Sequence, residues 1–168
     1  MDSHCLAIGA EVGLLRFTTG RDTTNRAVSL FPSPTNEATL EVPVTTVDQL
    51  LSGKPAPLVW KVDVEGFEPE VLRGAAQALR NPELRAVLLE ADTPALQDTM
   101  TAAGFSRFAY DPFRRHLQPI SASPITATAK TATATTSMAH NQLWIRDLGF
   151  VQERCRTAAS IRVGRINL

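Results

Sequence analysis

The chain has 168 residues, with 17 basic and 17 acidic side chains, three histidines and two cysteines; 43% of it is hydrophobic and 20% charged. That length suits one domain, and the apolar content excludes global disorder. A formal net charge of zero leaves no electrostatic footprint for nucleic acid or an acidic membrane surface, and no apolar run is long enough to span a bilayer.

The N-terminus, MDSHCLAIGAEVG, has neither a basic region nor an apolar stretch of signal-peptide length, which predicts a cytoplasmic protein. Cys5 and Cys155 lie at opposite ends of the chain. They form no disulfide framework and no CxxC metal pair, so both are expected to be reduced and structural.

Residues 5–17, CLAIGAEVGLLRF, predict two short strands around a turn, paired as a hairpin. Residues 18–38 are polar, contain Pro32 and Pro34, and predict a loop. In 40–51, Val42 and Val44 alternate as in a strand, and Pro43 argues for an edge position. Thr46 is a suitable N-cap for a short helix ending near Leu51. The run Leu58, Val59, Trp60, Val62 and Val64 has the near-continuous apolar character of a parallel strand buried on both faces. It ends in Asp63, Glu65 and Gly66.

Glu68, Pro69 and Glu70 mark a helix start, with a proline in the first turn and acids favouring the positive end of the dipole. The pattern of Val71, Ala75 and Leu79 carries this helix to about Arg80, and Asn81-Pro82 stops it. Residues 85–91 predict a second buried strand that ends at Glu90. A helix over 94–103 places Leu96, Met100 and Ala103 on one face and closes at Gly104. Residues 105–119 predict a strand and an irregular hairpin arm. In 121–137, Thr and Ala fill eleven of seventeen positions, a low-complexity insertion. The strand NQLWIRD follows, and then a basic amphipathic segment. The tail arginines 146, 154, 156, 162 and 165 could contact phosphate, but the interspersed acids favour a solvated helix face.

Strands alternating with helices predict a single α/β domain over 1–168, built on a parallel sheet covered by helices. Ligands then sit outside the carboxyl ends of the strands, where Asp63, Glu65 and Glu90 fall. Asp63 and Glu65 are two residues apart in an extended segment and share a face. Gly66 lets the backbone turn sharply and approach a ligand. Carboxylates in this position can accept a proton from a substrate hydroxyl, bind a cationic group or hold a metal. A purely structural role is the alternative, in which they cap the following helix and pair with Lys61 or Arg73. Glu90 is a substrate-side candidate, against a solvated strand-end acid. A divalent metal on Asp63 and Glu65 would need further oxygens, from Glu90 or Asp92. His4, His116 and His140 have no partner at metal-ligand spacing, and no metal site is expected.

The runs VPVTTVDQLL, LVWKVDVEGFEPEVLRGAAQAL and AVLLEAD resemble the second half of the FkbM-type methyltransferases. AIGAEVGLLRF and DTTN upstream, and HNQLWIRD with FVQERC downstream, match the family in order and spacing. The resemblance implies a Rossmann-like class I methyltransferase fold and transfer from S-adenosylmethionine, usually to a hydroxyl oxygen of a small molecule or sugar. The family's D-x-E-G strand end falls on Asp63, Glu65 and Gly66. This implies catalytic roles for Asp63 and Glu65, a cofactor-side position for Asp63 and Gly66, and a site-facing Asn141, whose alternative role is a turn-capping amide.

Such enzymes begin with a strand, a glycine-rich turn and a helix that cradle the cofactor. Here Met1 falls at what resembles the third strand, and the early glycines Gly9 and Gly13 belong to the predicted hairpin. The expectation is a C-terminal part with an incomplete sheet that is prone to self-association or served by a complementing N-terminal chain. A non-catalytic remnant or interaction module is the alternative reading.

Overall fold

The structure, a computed structural model, describes residues 3–19, 27–28, 38–64, 66–120 and 141–159, and the backbone of 162–163 and 166–167. The Thr/Ala tract at 121–137, Glu65 and His140 lie outside the described residues.

A three-stranded sheet contains β1 (Ala7–Ile8), β2 (Gly13–Thr18) and β3 (Thr39–Thr45), in the order β1-β3-β2. The predicted hairpin between the first two strands does not form. Both pair with β3 instead, β1 in parallel and β2 antiparallel. Pro43 therefore lies in the central strand, not an edge strand. β1 covers only Val44 and Thr45, so β3 still has one open side at Pro43, where a missing N–H donor is tolerated. Thr46 caps α1 (Val47–Leu50) as its side chain predicts, its hydroxyl accepting from the Gln49 amide at 3.1 Å.

The larger sheet holds β4 (Val59–Val62), β5 (Ala86–Leu89), β6 (Ser106–Asp111), β7 (His116–Pro119) and β8 (Gln142–Ile145), in the order β4-β5-β8-β6-β7. Only β4 and β5 pair in parallel; β8 runs antiparallel to β5 and β6, and β7 antiparallel to β6. The fold is α/β with mixed sheets, where the strand–helix alternation predicts a parallel sheet. The hydrophobic pattern of β8 reports burial, and burial does not encode direction. β5 is enclosed as predicted. Val87 and Leu89 face one core with Trp144, and Ala86 faces another with Phe108 and Ile145. β4 is not: among the described residues it pairs with β5 alone, and Leu58 and Val59 are 46% and 55% exposed.

Helix α2 (Glu68–Arg73) is shorter than the periodicity predicts. It ends at Gly74, and the chain continues through turns into a 3-10 turn at Ala78–Arg80 before Asn81. Gly74 explains the break. A Cβ there would stand 2.0 Å from the Gly9 carbonyl oxygen, so the backbone that follows β1 rests directly on this helix end. The Gly74 carbonyl also accepts from the Asp48 amide at 3.0 Å. Asp48 in turn accepts from the amides of Gln77 and Ala78 at 3.0 and 2.8 Å, tying α1 to the 3-10 turn.

Helix α3 (Pro94–Ala102) matches its prediction, with Leu96 and Met100 buried and Gly104 closing it at φ 88. With α2 it covers one face of the sheet. α4 (Leu148–Thr157) covers the other through Val151, and Gln152 bonds the backbone of Arg115 and Leu117.

Arg146, expected on a solvated helix face, is instead an interior clamp. Its guanidinium donates to the carbonyls of Leu79, Asn81, Leu84 and Ala103 and lies 4.3 Å over the Phe105 ring. Burial and the neighbouring Arg85 both pull its pKa below the usual arginine value. Arg85 is held by Asp147 at 2.8 Å, and Arg156 pairs with Glu153 on α4. Of the remaining tail arginines, Arg154 is exposed on α4, whereas the side chain of Arg162 and the whole of Arg165 lie outside the described residues.

Arg146→Met removes donors from four carbonyls and should cost about 3 kcal/mol, with Arg146→Lys intermediate because an ammonium cannot reproduce the planar fork. Urea midpoints in the order wild type, Lys, Met are expected; equal midpoints would refute the clamp. Gly74→Ala drives a methyl into the Gly9 carbonyl, and a loss of about 1–3 kcal/mol is expected in the same assay.

Candidate active site

Strand register brings three of the predicted residues into one row. Val62 pairs with Leu89, and Leu89 with Gln142. Asp63, Glu90 and Asn141 are the next positions, at the carboxyl ends of β4 and β5 and the start of β8. This end of the sheet is where an α/β fold places its ligand, because helix starts and turns leave room there.

Asp63 lies beside Glu90 in this row. The Lys61 ammonium donates to Asp63, and that bond, the interaction with Glu90 and the charge of Lys61 together hold its carboxyl below the ordinary value of 3.8. Lys61 and Asp63 are two residues apart and share a face of the strand end. The structural pairing foreseen for Asp63 is thus present with Lys61. Arg73 is occupied elsewhere, by Glu70 at 2.8 and 3.0 Å. Glu90 is partly buried and engaged with Asp63, so it is not a solvated strand-end acid.

Gly66 has φ 90, a left-handed conformation that favours glycine and lets the chain leave β4 and enter α2 within a few residues. Beside this turn is a cleft of about 410 Å³ between residues 9–15 and the start of α2, with Glu11, Phe67, Glu70 and Arg73 on its walls. Asn141 is exposed, consistent with an amide that faces solvent or ligand.

Sequence reasoning missed Glu68. Only 1% exposed, its carboxyl has no hydrogen-bond partner at Oε2. An acid at the first turn of a helix has the same sequence signature whether buried or solvated, so no signal distinguishes it. Asp92, weighed as a metal ligand, is paired with Arg107 at 2.9 Å and Gln97 at 2.7 Å. Among the described residues no group of three or more His, Cys, Asp or Glu side chains is placed to hold a metal. His4 and His116 are exposed. Both cysteines are free thiols.

The methyltransferase FkbM domain model matches residues 3–150. The chain belongs to the FkbM methyltransferase family. Comparison with curated proteins and with solved structures finds no match. Membership implies methyl transfer from a methyl donor, and the FkbM match spans every element that builds the row at the strand ends, from β1 to β8. Among the described residues no helix is long and apolar enough to cross a membrane.

Because the folded pKa of Asp63 is depressed, the stabilisation from its ionised form is present above pH 3.8 and is lost as pH falls through the lower folded value. In Lys61→Met the Asp63 carboxyl should titrate closer to 3.8. Carboxylate ¹³C NMR over pH 2–6 reads this directly, and an unmoved midpoint would refute the role of Lys61.

Proposed function

We propose that the chain methylates a hydroxyl oxygen of a small molecule or sugar from S-adenosylmethionine, at the carboxyl ends of β4 and β5. The observation that carries this reading is the Asp63–Glu90 carboxyl pair, with Asp63 kept ionised beside Lys61. When bound, S-adenosylmethionine supplies an electrophilic methyl group on a positively charged sulfur.

The chain's own residues then have separable tasks. Asp63 accepts the hydrogen bond of the acceptor hydroxyl and takes its proton, which requires a carboxylate that is ionised at neutral pH. Glu90, beside Asp63 at the end of β5, helps to keep it ionised. Asn141, next to Glu90 in the row, offers both an amide donor and a carbonyl acceptor to a polar substrate. Gly66 lets the main chain approach the donor closely. Glu65 keeps the catalytic role implied by family resemblance. In the cleft beside the turn, Phe67 gives an apolar wall while Glu11, Glu70 and Arg73 form a polar rim, a combination suited to a hydroxylated acceptor. Holding acceptor and donor in line supplies much of the rate in a displacement of this kind.

Calorimetric titration of S-adenosylmethionine into the folded chain, followed by S-adenosylhomocysteine release with hydroxylated small molecules and sugars, tests the proposal. Binding on the order of micromolar is expected. Asp63→Asn should slow release by about 100-fold or more while the circular dichroism spectrum is retained. A folded chain that neither binds the donor nor releases product would overturn the proposal in favour of a non-catalytic interaction module.

A further inference from the structure

A second cavity lies at the opposite end of β4 and β5 from Asp63 and Glu90. It encloses about 450 Å³ between α1, the loop leading into β4 and the segment that follows the 3-10 turn. Lys54 and Arg80 both line it, and among the described residues no carboxylate pairs with either. Asp48 is the acid on the same wall, but its two oxygens are engaged by the amides of Gln77 and Ala78 at 3.0 and 2.8 Å. Two cations facing one cavity repel each other, and a bound anion relieves that repulsion. The rest of the wall is mixed: the half-buried Trp60, with Leu51 and Pro57, gives an apolar surface, and Ser52, Gln77 and Asn81 add polar groups.

We propose that this cavity binds a nucleotide, with its diphosphate on Lys54 and Arg80 and its base against Trp60. The guanidinium of Arg80 presents a planar fork to two phosphate oxygens, and Lys54 adds a mobile point charge. Trp60 offers a π-face to a planar base. The volume falls within the range of small-molecule pockets. The site is separate from the strand-end carboxyls and does not depend on the proposed methyl transfer. Trp60 is on β4, whose far end carries Asp63, so an occupant here touches the strand that carries the candidate general base.

ADP is the probe, titrated calorimetrically into the full chain at low ionic strength, with adenosine and pyrophosphate in parallel. ADP should bind more tightly than either fragment, and its affinity should fall as salt is raised. The Lys54→Gln/Arg80→Gln double variant, altered only at exposed side chains, should bind ADP about tenfold more weakly or worse. Asp63→Asn should bind it as the wild type does. Three results would each overturn the proposal: no ADP binding by the folded wild type, undiminished binding by the double variant, or loss of binding in Asp63→Asn, which would put the nucleotide at the strand-end carboxyls. Adenosine or pyrophosphate binding as tightly as ADP would also overturn it, by removing the need for one half of the site.

Discussion

The guanidinium of Arg146 gathers the chain around itself. It leaves the end of β8 and meets carbonyls from the 3-10 turn, from residues 81–84 and from the end of α3, with the Phe105 ring beneath it. Those carbonyls lie at chain ends and turns, where no regular partner is available. A single planar cation with five donors satisfies them at one point. The same residue fixes where β8 ends against β5, because the Arg146 amide donates to the Arg85 carbonyl at 2.9 Å. Register then does the rest. With β8 seated on β5, Asn141 falls opposite Glu90, and Glu90 beside Asp63. The polar row at one end of the sheet is thus a consequence of how its other end is fastened.

That row has an economy of charge. Three ionisable groups, Lys61, Asp63 and Glu90, meet where β4 and β5 emerge, and the other two keep Asp63 ionised. Asp63 is largely solvent-accessible, so its low pKa comes from specific partners rather than from burial. A group set up in this way keeps its charge at neutral pH without losing access to a ligand. The cleft lined by Phe67 lies next in the chain to this strand end, one residue past Gly66.

Much of this was legible in the sequence. Thr46, Gly104 and Asn81-Pro82 start or stop elements where the structure has them, because capping, glycine and proline chemistry act within a few residues. The strand-end positions of Asp63 and Glu90 were equally visible, since a strand's end follows from where its apolar run stops. Features set by distant partners were not. Nothing local states that β3 lies between β1 and β2, that β8 runs antiparallel, or that Leu58 and Val59 face solvent. The helix pattern of Val71, Ala75 and Leu79 continues past Gly74, yet the approach of Gly9 ends the regular helix there. Arg146 resembled every other arginine of the tail, for its carbonyl partners are scattered over more than twenty positions of sequence.

The contact between Gly74 and Gly9 has a mechanical consequence. Most joints between secondary elements are made by side chains, which can change rotamer and absorb a displacement. Here main chain rests on main chain, with a neighbouring hydrogen bond from Asp48 to Gly74, and there is no rotamer to yield. A joint of this kind is stiff. The three-stranded sheet and α2 should therefore move as one body, so that a shift at the start of α2 is passed undamped to residues 9–15 across the cleft.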